Sequence, residues 1–248
     1  MEAASLIMIS QQEAMSHAMD VVANNVANSS TSGFKREEVL FDTLIDRPSS
    51  DEKLDFAVNR GTFRDISQGP ILMTGSPLDL AIQGVGYFPI QTKLGTRYTR
   101  GGSFQLNSAG EIVTATGDKL LGDGDQPVTL PEDAEDVTIS AAGVITFRSA
   151  SSTSTAMEQL GNLKLVKFAK EQALQATGNG LYSTTQAPLP DTDSVLVQGA
   201  VERSNVQPVK EITQMINLLR SYQMSIHLLD LDNQRQSSAV SRLAKATA

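Results

Sequence analysis

Apolar residues recur at helical spacing at both ends of the chain and at strand spacing between them. Near the start, Met8, Gln12, Met15, Met19, Val22 and Val26 alternate in steps of four and three, and Ile7, Ala14, Ala18 and Val21 widen the run into a stripe. Positions three and four apart share a helix face, so the spacing predicts one amphipathic helix over residues 3–28. The run ends in Asn28-Ser29-Ser30-Thr31-Ser32-Gly33, a cluster of turn formers closed by a glycine. At the far end, Ile212, Met215, Leu219, Tyr222, Ile226, Leu229, Asn233, Gln236, Val240 and Leu243 keep the same alternation, which predicts a long helix with a coiled-coil seam. Pro208 suits a first helical turn, where its missing N–H costs nothing, and Arg242 and Lys245 suit the negative end of the helix dipole.

Between these ends the period falls to two. Leu78, Leu80 and Ile82 share one face, and short candidate strands follow at 87–92, 97–99, 104–106, 111–114, 128–130, 137–139, 144–147, 163–168 and 195–198. Of the 18 glycines only Gly33 lies outside residues 61–199, and residues 1–32 and 209–248 hold neither Gly nor Pro. Short strands punctuated by glycine turns predict an all-β body. Residues 46–55 read as a mobile link and residues 149–155 (SASSTST) as an exposed polar loop. The expected fold is therefore a mainly β body with two long terminal α-helices pairing as a coiled coil. Its parts are an amino-terminal helix (1–29), a connecting loop segment (30–60), a β-rich body (61–203) and a carboxy-terminal helix (204–248).

A long helix with one apolar face is not stable alone in water. Ordering its backbone costs about 1–2 kcal/mol per residue, and a seam side chain returns about 1.5–3 kcal/mol only when something covers it. The first helix is the shorter and covers only part of the second, so the pattern calls for other subunits, with Asn233 helping to set register.

Composition narrows the function. A formal charge of −8 disfavours nonspecific nucleic-acid binding and docking on an acidic membrane surface. Aromatics make up 5% and there is no Cys, which excludes disulfides, thiolate metal sites and cysteine nucleophiles. No run approaches a membrane span, so a membrane-inserted protein is not expected. The first basic residue is Lys35, so no cleavable signal peptide is expected and any export would use another route.

Candidate chemistry is sparse. Gly84-Val85-Gly86 opens like a dinucleotide loop, but Pro89 stands where the third glycine belongs, so it reads as a hairpin turn. Asp123-Gly124-Asp125 lacks the remaining ligands of a calcium loop and reads as a solvated turn. His17 and His227 are single residues on separate helices, too few for a metal site, and read as packing or rim residues. Neither Ser76 nor Ser103 sits in a nucleophile elbow, and no carboxylate pair stands out. The expectation is no enzyme, no cofactor and no metal.

Several segments resemble a known family. Val22-Ala23-Asn24-Asn25-Val26-Ala27-Asn28 followed by Thr31-Ser32-Gly33-Phe34-Lys35 resembles the amino-terminal signature of bacterial flagellar rod and hook proteins. Residues 75–88 (GSPLDLAIQGVGYF) and 97–104 (RYTRGGSF) are similar to its central motifs, and residues 198–206 (QGAVERSNV) with 220–223 (RSYQ) to its carboxy-terminal signature. Gln223 departs from the acidic residue more usual there. The stretch Arg60–Asp65 with Gln68-Gly69-Pro70 is most similar to proximal rod members, and the distal rod members come next.

The resemblance implies a structural subunit of the periplasmic basal-body rod, exported by the flagellar type III apparatus. It would assemble with other rod subunits and with copies of itself. On that reading the subunit-interaction residues are Met15, Met19, Val22, Asn25, Val26 and Asn28 on the amino-terminal side. Ile212, Met215, Leu219, Tyr222, Ile226, Leu229 and Asn233 supply the carboxy-terminal side. Asn24, Asn25 and Asn28 are expected to tie backbone groups at the helix-to-loop junction. A periplasmic glycan-binding module is the alternative outside the family.

Overall fold

A computed structural model describes residues 2–49, 52–150 and 157–246. The chain is mainly β with one long helix at each end, and it divides into two compact units. The first holds residues 1–27, 37–65 and 207–248, and the second holds residues 28–36 and 66–206.

In the first unit, helix α1 (Glu2–Ala27) and helix α2 (Pro208–Ala246) occupy the two stretches without Gly or Pro. They lie against each other, and α1 also packs on a hairpin of strands Glu37–Ser49 and Glu52–Arg64. This hairpin corrects the expectation of a connecting loop over 30–60. Its strands carry apolar residues at both parities (Val39-Leu40-Phe41, Leu44-Ile45), so the sequence shows no clean period of two there. The pairing continues through the residues read as a link, with Asp46 opposite Leu54 and Ser49 opposite Glu52. The register slips between Leu40 and Phe41, opposite Gly61 at φ 125°. Residues 50–51, and 151–156 of the polar loop, lie outside the described residues.

The second unit is the β body. Its largest sheet has seven strands, in spatial order Gln175–Ala176, Leu181–Ser183, Gly95–Thr99, Phe88–Thr92, Lys119–Leu120, Ile112–Thr114 and Phe104–Leu106. A three-stranded antiparallel sheet, Ala134–Ile139, Val144–Ser149 and Glu158–Asn162, shares its core. Leu80, Ile82, Phe88, Ile90, Phe104, Ile112, Leu120 and Ile145 fill that core. A second cluster is aromatic: Tyr87, Tyr98 and Tyr182 set edge-on around Phe168 and one another, at centroid separations of 4.8–6.0 Å. Burial, and the Glu171 carboxylate that accepts its O–H at 3.1 Å, push the Tyr87 phenol well above its ordinary range.

Most predicted strands are present, with two corrections. Residues 128–130 form only an isolated bridge, Thr129 to Glu111, although Val128 and Leu130 are buried. Gly84–Gly86 is no hairpin turn. It joins strand Leu80–Gln83, paired with Val195–Gln198, to strand Phe88–Thr92, paired with Gly95–Thr99. Gly86 is a close approach, since a Cβ there would stand 2.5 Å from Asp191 Oδ2. Asp125 of the acidic turn pairs with Lys164 at 2.6 Å.

The body is closed by its own last segment. Residues 195–202 run antiparallel to 71–83, pairing Val195 with Gln83, Gln198 with Leu80, Ala200 with Met73 and Glu202 with Ile71. Glu202 is fully buried between two buried cations. Its Oε1 accepts from Lys35 Nζ at 2.7 Å and Gly69 N–H at 2.9 Å, and its Oε2 accepts from Arg100 Nε at 2.9 Å and pairs with the charge at Nη2, 2.8 Å away. Each carboxylate oxygen thereby has two nitrogen partners. The surplus positive charge is met by main-chain carbonyls: Lys35 Nζ donates to Ser67 O at 2.7 Å, and Arg100 to Gly86 O and Gly84 O at 2.8 Å. The Tyr87 ring lies 5.6 Å from the guanidinium. Burial and the neighbouring Arg100 pull the Lys35 ammonium below the usual lysine range, against the opposing pull of Glu202. The Glu202 carbonyl also accepts from Gly33 N–H at 2.8 Å and Ser32 Oγ at 2.9 Å.

Removing one member of such a cluster strands the others without compensation. Glu202→Gln is expected to destabilise the β body by about 3–5 kcal/mol. Denaturant unfolding followed by tyrosine emission checks this, since Tyr87, Tyr98 and Tyr182 all sit in the body and there is no Trp. An unchanged midpoint would show that the cluster does not hold the fold together.

Candidate subunit interface

The helix pair runs antiparallel. Asn25, near the end of α1, bonds to Glu211 in the first turn of α2, and Met8, near the start of α1, lines a groove with Leu228, Leu231 and Arg242. Asn25 is fully buried and makes three bonds. Its Nδ2 donates to Glu37 O at 2.8 Å and Glu211 Oε2 at 3.1 Å, and its Oδ1 accepts from Glu37 N–H at 2.9 Å. One amide thus joins α1, the start of the hairpin and α2. Glu211, buried to 1% exposure, sits where the positive end of the helix dipole favours an acid.

On α1 the buried residues are Ala14, Ala18, Val22 and Asn25. Met15, Met19 and Val26 are half-buried beside them, so the contact face is rotated toward the small residues, which allow close approach. Asn28 lies in the second unit, in the turn after α1, where its side chain accepts from Thr31 Oγ1 at 3.2 Å.

On α2 the expected single seam divides in two. The covered face runs through Glu211, Met215, Leu218, Tyr222, Ser225, Leu229, Asp232 and Gln236, again in steps of four and three. Met215, Tyr222 and Leu229 belong to it. Ile212, Leu219, Ile226 and Asn233 do not, and they stand exposed one position further around the helix. At 3.6 residues per turn, both sets satisfy a four-three alternation, so the spacing alone does not separate them. The side chains at 240 and 243 lie outside the described residues.

The distribution of polarity is the reverse of what a self-sufficient pair would show. Four of the eight covered positions are Glu, Ser, Asp and Gln. The uncovered face carries Val209 at 78% exposure, Ile212 at 46%, Ile216 and Leu219 at 45% and Ile226 at 39%. A second exposed set, Met224, Leu228 and Leu231, borders the groove at Met8. Exposed apolar residues aligned over this much of one helix form a continuous apolar face rather than scattered surface leucines. His17 is half-buried at the pair and His227 is exposed.

Among the described residues no cluster of His, Cys, Asp and Glu could hold a metal ion, and no helix is long and apolar enough to cross a membrane. Sequence reasoning passed over Glu211 and the cluster of Lys35, Arg100 and Glu202. An acid in a first helical turn was a legible signal for the first. The second had none, because its members are far apart in the chain.

Comparison with known proteins accounts for this architecture. A family profile described as flagella basal body rod protein matches residues 9–35. The flagellar hook protein FlgE/F/G D1 domain matches residues 81–147, and the flagellar basal body rod FlgEFG protein C-terminal matches residues 197–242. Lys35, Arg100 and Glu202 fall one in each matched segment. The flagellar basal-body rod protein FlgF of Caulobacter vibrioides is 35% identical over 251 residues, covering 99% of each chain. FlgG of the same bacterium is 35% identical over 87% of this chain and 90% of its own, and FlgG of Agrobacterium fabrum 33% identical over 84% and 86%. With relatives this similar along nearly its whole length, the chain belongs to the flagellar basal-body rod protein family.

Proposed function

We propose that the chain is a structural subunit of the flagellar basal-body rod, standing in its proximal part. α1 and α2 pair as a coiled coil whose outer face is covered by helices of neighbouring axial subunits, among them copies of itself. The single observation that carries this reading is the inverted polarity of α2, which leaves Ile212, Ile216, Leu219 and Ile226 outside while Glu211 and Ser225 lie inside. Such a helix reaches its favourable burial only in an assembly. Its work is mechanical: interlocked side chains along a helix of about 55–60 Å resist shear between subunits, so torque passes along the shaft. The chain reaches the periplasm through the flagellar type III apparatus.

The proximal position is supported by the match to FlgF over 99% of both chains. The distal rod is the second reading, supported by equal identity to FlgG over a smaller share of this chain. Electron microscopy of basal bodies from a strain lacking the chain separates them. A proximal subunit is expected to leave particles whose proximal rod is itself incomplete, whereas particles that keep a complete proximal rod and lack only the distal rod would overturn the assignment.

A charge on the outer face tests the interface itself. Leu219→Asp or Ile226→Asp is expected to abolish swimming in soft agar and incorporation into basal bodies, while the far- and near-ultraviolet spectra of the purified chain stay unchanged. A normal swimming halo from either variant would remove the basis of the reading. Asn25→Ala removes the side-chain bonds to the Glu37 main chain and one bond of the buried Glu211 carboxylate, at about 1–3 kcal/mol for a buried main-chain group left unmatched. Faster hydrogen exchange at the Glu37 amide and a lower melting temperature are the expected results.

A further inference from the structure

α2 carries two uncovered apolar faces that differ in position along the helix and around it. One consists of Ile212, Ile216 and Leu219, continuing through Gln223 to Asp230. The other consists of Met224, Leu228 and Leu231, continuing through Arg235 to Arg242. The covered face toward α1 separates them on one side, because a turn of 3.6 residues places 212 and 224 on different sides of 215 and 225.

The second face is concave along part of its length. Leu228 and Leu231 line a groove of about 820 Å³ together with Met8, Asp232, Arg235 and Arg242, and Met224 lies outside that lining. The first face is a ridge that ends in the exposed carboxylate of Asp230.

The two faces match each other position by position. Residues 212, 216, 219 and 223 are spaced four, three and four, and so are 224, 228, 231 and 235. Setting two helices parallel with a shift of twelve residues therefore pairs Ile212 with Met224, Ile216 with Leu228 and Leu219 with Leu231. The same shift sets Asp230 opposite Arg242. A shift of five also keeps the spacing, but it sets Gln223 on Leu228 and leaves Ile212 and Ile216 bare. An antiparallel arrangement also pairs the apolar residues, Ile212 with Leu231, Ile216 with Leu228 and Leu219 with Met224, but it runs a four-three spacing against a three-four one and sets Asp230 opposite Thr213, without a basic partner.

From this we infer that α2 docks head-to-tail on α2 of a second copy of this chain: Ile216 and Leu219 seat in the neighbour's groove at Leu228 and Leu231, and Ile212 lies on Met224 beside it, displaced by about 18 Å along the axis. The inference rests on the rod reading and adds to it which face meets which, and in what register. Because the two faces are different patches, the contact does not satisfy itself in a closed dimer. Each added copy leaves one ridge and one groove open, so the contact propagates. Apolar burial supplies the affinity and favours the shift of twelve, since Asp230 meets an arginine at either shift, Arg242 at twelve and Arg235 at five; the charge pair favours the parallel over the antiparallel setting.

The absence of native cysteine makes cross-linking a clean test. A chain carrying both Leu219→Cys and Leu231→Cys is expressed in cells lacking the natural chain, and basal bodies are isolated and oxidised. The expected result is a ladder of covalent multimers from the double variant and monomer alone from either single variant. Dimers from a single variant would mean that one face meets itself, and a ladder from Ile226→Cys with Leu231→Cys in its place would mean a shift of five. Either overturns the inference. A double variant that swims and copurifies with basal bodies but forms no ladder also overturns it, while leaving the rod reading intact. A chain that never copurifies with basal bodies defeats both. Independently, Asp230→Arg is expected to cut incorporation at least tenfold, and adding Arg242→Asp to the same chain is expected to restore it.

Discussion

The β body depends on one carboxylate. Glu202 receives three hydrogen bonds, from Lys35, the Gly69 main chain and Arg100 Nε, and an ion-pair contact from Arg100 Nη2, in a space with no access to water. Burying charge is costly unless every donor and acceptor is matched. Here the match draws together the loop after α1, the segment before the first body strand, the Gly84–Gly86 turn and the closing strand. Any slip in the pairing of residues 200–202 with 71–73 would leave a buried ion pair unmade. The cluster contributes to specificity more than to raw stability, since it penalises every register but one.

The helix unit is built on the opposite principle. Its interior is partly polar, and its one saturated buried amide, Asn25, sets how the helices and the hairpin meet. Its apolar surface faces outward. A body that is complete in itself, joined to helices that are not, suits a part that folds alone and then engages neighbours.

Much of this was legible in the chain. The four-three apolar repeat located α1 to within a residue at each end, and Pro208 marked the first turn of α2, because nothing interrupts the repeat within either helix. Period two and glycine turns located strands Phe104–Leu106 and Val195–Gln198 to the residue. The hairpin over 37–64 escaped because its apolar residues occupy both parities and Pro48 with Ser49 reads as a link. The turn at Gly84–Gly86 was legible as a turn, but which strands it joins depends on residues 195–198, more than a hundred positions away.

By itself, then, the sequence determined the element types, their order and the presence of more apolar helix surface than one chain covers. These follow from local periodicity and backbone preference, which act over a few residues. Only the tertiary structure decided which side of α2 is covered, that Asn25 and Glu211 meet, and that Lys35, Arg100 and Glu202 form one buried cluster. Those outcomes depend on contacts between residues far apart in the chain, and local spacing carries no information about which distant partner fills a given face.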